Sequence, residues 1–159
     1  MLTDDERRHL EEHVAGYPHK RAGALYVLQH LQQKYGYLHD AALAEASSLV
    51  GLSATQLDEL ITFYPLLLRQ PAGKTVVRIC DSIACHLAGA DALLDEAERL
   101  TGVPLGVVSE DQTVSVMPHV CLGLCDHAPA ALVGDRQALG LDKAALAELI
   151  AALRAEGEG

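Results

Sequence analysis

The chain has 159 residues, 50% hydrophobic and 21% charged, which suits one ordinary soluble domain or a small domain with a helical extension. Its formal net charge of −10, with Lys and Arg scattered singly or in pairs, excludes the basic patch that a nucleic-acid partner requires. No stretch reaches the roughly 18 to 20 apolar residues of a membrane span, and the acidic start Met1-Leu2-Thr3-Asp4-Asp5-Glu6 does not read as a signal peptide, so a cytoplasmic location is expected.

With no Trp and one Phe, the core must come from Leu, Ala, Val and Ile. Residues 1–70 read as a helical bundle. A charged, weakly amphipathic helix covers about 3–14. Ala24, Val27, Leu28 and Leu31 then recur at helical spacing, and Gly36 can cap the C-terminus of their helix. A third helix runs through Ala41–Leu49 and stops at Gly51. Ser53-Ala54-Thr55-Gln56 is a capping-box pattern that starts a fourth helix, with Leu57, Leu60 and Ile61 inward and Pro65 past its end.

After Gln70-Pro71-Ala72-Gly73 the period changes, and residues 71–159 read as an α/β domain with a thioredoxin-like sheet. Thr75–Cys80 is a β-branched strand that delivers Cys80 at its end. Ala90, Leu93, Leu94, Ala97 and Leu100 mark an amphipathic helix closed by Gly102. Thr113–Val120 is a second strand leading to Cys121. Ala130–Val133 and Gln137–Gly140 form a hairpin across Gly134-Asp135. A last helix, with Asp142 as its cap, turns Leu146, Leu149, Ile150 and Leu153 to one side, and Ala155–Gly159 is expected to fray.

The four cysteines stand in two pairs, Cys80 and Cys85 as C-x4-C and Cys121 and Cys125 as C-x3-C. Each pair begins where a strand runs into a loop, the place where ligands collect in open α/β sheets. In a reducing cytosol paired thiols serve metal or redox chemistry more often than structural disulfides. A dithiol redox enzyme would show C-x-x-C at a helix start, which is absent. Structural zinc usually comes with C-x2-C knuckles, and neither pair is spaced that way, though zinc remains the alternative. The reading preferred is a [2Fe–2S] cluster, which four thiolates complete. Such a cluster is anionic in both oxidation states and calls for N–H donors around its sulfurs. Gly89 and Gly123 let the backbone approach, while Asp81 and Asp126, if ionised nearby, lower the potential.

The run Val77-Arg78-Ile79-Cys80-Asp81-Ser82-Ile83-Ala84-Cys85-His86-Leu87-Ala88-Gly89-Ala90, with Cys121-Leu122-Gly123-Leu124-Cys125-Asp126-His127-Ala128-Pro129-Ala130, resembles the thioredoxin-like [2Fe–2S] subunit of NADH-quinone oxidoreductase, the respiratory complex I. Tyr17-Pro18-His19-Lys20-Arg21, Tyr35-Gly36-Tyr37 and Ile61-Thr62-Phe63-Tyr64 resemble that family's helical region. The resemblance spans nearly the whole chain and implies that Cys80, Cys85, Cys121 and Cys125 ligate the cluster. It also implies a flavoprotein partner that binds FMN and NADH, electron transfer without catalysis by this chain alone, and a peripheral place on the inner face of a membrane through a larger complex. Gly134 stands where the family commonly has Asn, and it meets the same positive-φ demand. The chain also stops soon after the last helix, without the tail that some members carry. The same module serves NAD-dependent formate dehydrogenases and bidirectional hydrogenases, which leaves the complex open.

Around the thiols, Ser82, His86 and His127 are candidates for tuning the cluster, with the solvated loop histidine as the plainer reading of each imidazole. His119 reads as a strand residue with a local hydrogen bond. Gly73-Lys74-Thr75 imitates the end of a phosphate loop, but Leu68 stands where the loop needs Gly. No G-x-G-x-x-G occurs, so NADH is expected on the partner. The apolar run Tyr64-Pro65-Leu66-Leu67-Leu68 is expected to pack between the two regions or to lie under a partner.

Overall fold

The computed structural model describes residues 1–157, and the chain divides into two compact units, Met1–Pro71 and Ala72–Gly159. The first unit holds four helices: α1 (Asp4–Ala15), α2 (Ala24–Tyr35), α3 (Asp40–Val50) and α4 (Ala54–Phe63). A short 3-10 turn, Lys20–Gly23, leads into α2. Each start has a local chemical reason. Thr3 and Glu6 exchange side-chain-to-backbone hydrogen bonds at the head of α1, and Ser53 and Gln56 do the same at α4, where the distances are 3.0 and 3.2 Å. His39 caps α3 by accepting the Ala42 N–H at 3.1 Å. Gly36, at φ 80°, closes α2 in a conformation that a Cβ would strain.

The apolar stripes of these helices meet in one core that includes Leu10, Val27, Leu28, Leu31, Leu43, Leu57 and Ile61. Leu67 joins it. The run Tyr64–Leu68 therefore sends Leu67 into the helical unit's own core, while Tyr64 and Leu66 stay exposed. Gln32 holds this segment by donating to the Leu66 carbonyl at 2.8 Å and accepting the Leu68 N–H at 2.6 Å. Arg69 bonds the Leu38 carbonyl and pairs with Asp40 at 2.8 Å and Asp58 at 2.7 Å.

The second unit carries strands β1 (Thr75–Cys80), β2 (Val114–His119), β3 (Ala131–Val133) and β4 (Arg136–Ala138) in the order β2-β1-β3-β4. β1 and β2 are parallel, while β1–β3 and β3–β4 are antiparallel. Alternate residues Val77, Ile79, Val114, Val116, Ala131 and Val133 turn to one face and pack with α6 (Ala90–Thr101) and α7 (Lys143–Gly157). This is the thioredoxin-like mixed sheet expected from the alternating elements. Gly73 lies against β2: a Cβ there would sit 2.5 Å from the Val114 backbone, and its N–H donates to the buried Ser115 hydroxyl at 2.9 Å. The residue serves close packing of the sheet, which accounts for the incomplete phosphate-loop pattern.

Three local expectations change. The second hairpin strand begins at Arg136, directly after the two-residue turn Gly134-Asp135, and ends at Ala138. Ala155–Gly157 continue α7 as helix, and the rest of the tail lies outside the described residues. A short helix, α5 (Ile83–Leu87), stands where only loop was expected.

Candidate metal centre

Cys80 is the last residue of β1, and the ladder places it beside His119 of β2. Its N–H donates to the Ala130 carbonyl at 3.0 Å, and the Asp81 N–H donates to the His119 carbonyl at 3.0 Å, so the strand end is held on both sides. The chain then turns at Ser82 into α5. Cys85 lies on the inner side of that helix, and Gly89, at φ 98°, turns the chain into α6. Cys80 and Cys85 are almost fully buried, packed with Ala90, Ala130, Leu122, Leu124 and Ala128.

Beyond β2, the loop Val120–Leu124 returns over this pocket and ends in a 3-10 turn, Cys125–His127. Cys121 and Cys125 are exposed, with their sulfurs 3.4 Å apart. Gly123, at φ 78°, turns its N–H to the Cys121 Sγ at 3.4 Å. The loop is tied down behind the second pair by Gly140, which donates to the His127 carbonyl at 2.8 Å, and by Leu141, which donates to the Pro129 carbonyl at 2.8 Å.

The surroundings act differently on each thiol. Burial works to raise Cys80, but the backbone N–H groups of Ser82 and Leu122, with the Cys85 thiol and the Ser82 hydroxyl, outweigh it and leave this thiol below its ordinary range. Burial raises Cys85, the Ala130 amide opposes it, and the negative charge of Cys80 and Cys121 adds to the rise. Cys125 is raised chiefly by its contact with Cys121. Cys80, Cys85 and Cys125 thus each feel at least one other thiol. Among the described residues, no three His, Cys, Asp or Glu side chains converge on one point, and the thiols stand as two pairs, one buried and one exposed.

Of the residues singled out in the sequence, the structure places Ser82 against Cys80 in the buried pair and Gly123 against Cys121 in the exposed pair. Asp81, His86, Asp126 and His127 lie exposed, each within two residues of a thiol. The His86 Nδ1 faces Asp91 at 3.0 Å, and the His127 Nε2 faces Asp126 at 3.3 Å, so each imidazole meets a carboxylate. His119 makes the expected local bond, 2.7 Å from its Nδ1 to the Val120 carbonyl. The amides of Leu122 and Ala130 were not foreseen. Leu122 could have been, as a loop residue beside a ligand, whereas Ala130 reaches Cys85 only through the sheet.

These residues fit an iron–sulfur cluster. Two thiolates on one tetrahedral metal, with bonds of about 2.3 Å, stand about 3.8 Å apart, and the Cys121–Cys125 pair is within a few tenths of an ångström of that. Four free thiols, amide donors aimed at the sulfurs and an apolar lining are what an anionic cluster requires.

A family model described as thioredoxin-like [2Fe-2S] ferredoxin matches residues 10–154. The E subunit of the NADH-quinone oxidoreductase of Pseudomonas aeruginosa is 31% identical over 85% of this chain and 81% of its own length. One of the E subunits of the same enzyme from Rhizobium meliloti, the second by its name, is 33% identical over 94% of this chain and 89% of its own. Among solved structures, an NAD+-reducing [NiFe]-hydrogenase in the air-oxidized state superposes with a TM-score of 0.69 at 29% identity. That match covers 82% of this chain and only 23% of the hydrogenase chain.

Proposed function

Since the chain belongs to the thioredoxin-like [2Fe–2S] ferredoxin family, we propose that it is the electron-transfer subunit of an NADH-dependent oxidoreductase of the respiratory type. Cys80, Cys85, Cys121 and Cys125 hold the cluster, and single electrons pass between it and the FMN of a partner subunit that oxidises NADH. When bound, the cluster supplies a one-electron couple. The observation that carries this reading is that each thiol pair begins at or just past the carboxyl end of one of the adjacent parallel strands β1 and β2, with amide donors on Cys80 and Cys121.

The chain's own residues do the rest. The amides of Ser82, Leu122 and Gly123 stabilise negative charge on the sulfurs, which favours accepting an electron. Ala90, Ala128, Ala130, Leu122 and Leu124 keep water from the buried pair. Asp81 and Asp126 lie exposed on the rim, and their charge opposes reduction. We place residues 71–159 as the cluster domain and residues 1–70 as a helical domain that completes the subunit. Through its complex the subunit sits at the inner face of a membrane, although none of its own described helices is long and apolar enough to cross one.

The test is metal analysis with visible and EPR spectra of anaerobically purified protein, before and after dithionite. About two irons and two sulfides per chain are expected, with an S = ½ signal only after reduction. Cys80→Ser and Cys121→Ser should each lose iron and colour. One zinc and no colour would overturn the reading in favour of a structural zinc module. A second reading, the equivalent subunit of an NAD-linked hydrogenase or formate dehydrogenase, draws on the hydrogenase likeness. Co-elution with a flavoprotein that reduces quinone favours the first, and co-elution with a hydrogenase or formate dehydrogenase activity favours the second.

A further inference from the structure

Helix α5 inverts the usual rule of burial. Ile83 and Leu87, one turn apart, share a face that is 80% exposed at both residues, while Cys85 between them points inward. Val120, next to Cys121, is 61% exposed. Leu139 is 46% exposed and belongs to the segment that Gly140 ties to the His127 carbonyl. Of the five exposed large apolar residues described in this unit (Ile83, Leu87, Val107, Val120 and Leu139), Ile83, Leu87 and Val120 stand within two residues of a thiol, and Leu139 adjoins the residue that is tied to the 125–127 turn. Large apolar side chains gathered in this way mark an interaction surface.

The charge around them is mostly negative, with Arg136 of β4 as an exposed exception. No Lys or Arg occurs in residues 79–98 or in residues 100–135, whereas Asp81, Asp91, Asp126 and Asp135 are exposed there. A second copy of the chain, itself at a formal −10, is repelled by such a rim, and so is an anionic lipid surface. A cationic partner is attracted to it.

Resting on the electron-transfer reading above, we infer that the outer face of α5, with Val120 and Leu139, is the docking face for the redox partner. That partner presents an apolar centre ringed by Lys or Arg. Docking there brings the partner's redox group beside the exposed Cys121–Cys125 pair and removes water from it. One electron crosses, leaving the donor oxidised and the acceptor reduced by one electron.

Cytochrome c serves as the probe, being a redox protein with an exposed haem edge ringed by lysines. Binding is measured between the two oxidised proteins by isothermal titration at low salt. Electron transfer from the dithionite-reduced chain, freed of excess reductant, to ferricytochrome c is followed at the haem band. The double variant Ile83→Lys/Leu87→Lys should weaken binding and slow transfer about tenfold. The variant Val107→Lys/Ala144→Lys adds the same charge at exposed positions elsewhere and should change both by about twofold or less. Salt should weaken the wild-type association steeply. Transfer to neutral benzoquinone should be unaffected in both variants, and the EPR signal should be unchanged.

Equal effects of the two double variants would overturn the docking face while leaving the electron-transfer reading intact, since the cluster signal is seen independently. Dimerisation of the wild type at low salt, by sedimentation, would also overturn it by giving the face to a second copy. A colourless protein without iron overturns the reading itself, and the docking face falls with it.

Discussion

Gly123 and Tyr35 show how much single residues set in each unit. At φ 78°, Gly123 adopts a conformation that costs an L-residue about 1–2 kcal/mol, and its N–H reaches Cys121 only from there. Gly123→Ala is expected to retain less iron after reconstitution and, where the cluster remains, to lower its potential, because the turn must relax and the amide moves off the sulfur. Iron content and redox titration check this. Tyr35 is pushed up to about 12 from 10.0, first by burial and then by the hydrogen bond its hydroxyl donates to Glu45 at 2.9 Å. The folded chain therefore holds this proton more tightly than the unfolded one. Its contribution to stability is complete below pH 10 and is lost as the pH rises through about 12. Urea unfolding across that window should show the loss in the wild type. Tyr35→Phe should lack it and should be less stable at pH 7 by about 1 kcal/mol.

At the scale of the element, caps and periodicity carry the first unit. The reciprocal bonds between Ser53 and Gln56 start α4, so Ser53→Ala should cost about 1 kcal/mol in a thermal or urea melt. Such features are local, and for that reason they were legible in the sequence. The capping box, Gly36 and the Leu stripe of α2 each appear as a pattern within one or two turns. β1 was legible with the same bounds, Thr75–Cys80, because a β-branched run between turn residues has no good helical reading. α5 was not. It is five residues long, and its apolar side chains face outward, so the amphipathic signal used to find helices has the wrong sign there. The frame shift in β4 has a similar origin, since three residues with no strong period give no edge to read. In the candidate centre, the four thiols could be named from their spacing. That one pair would be buried and the other exposed could not, because it depends on how far the 121–125 loop closes over α5.

At the scale of the whole molecule, each unit has a hydrophobic core of its own. Leu28→Ala in the first and Leu146→Ala in the second should each cost about 2–5 kcal/mol, both residues being fully buried. Only Leu146→Ala is expected to shift the loss of visible colour on heating, whereas Leu28→Ala should shift the helical signal alone. Recording far-ultraviolet dichroism and visible absorbance in the same melt separates the two. The parallel pairing of β1 with β2 also has a consequence for manufacture. A parallel neighbour is reached only through a crossover, and here α5 and α6 make up that crossover, so they must be synthesised before β2 can pair with β1. Translation at roughly 5–20 residues per second delivers the second thiol pair a few seconds after the first. During that interval the nascent chain carries only Cys80 and Cys85 of its four thiols. On the cluster reading proposed above, the full ligand set exists only once β2 and the loop after it have been made.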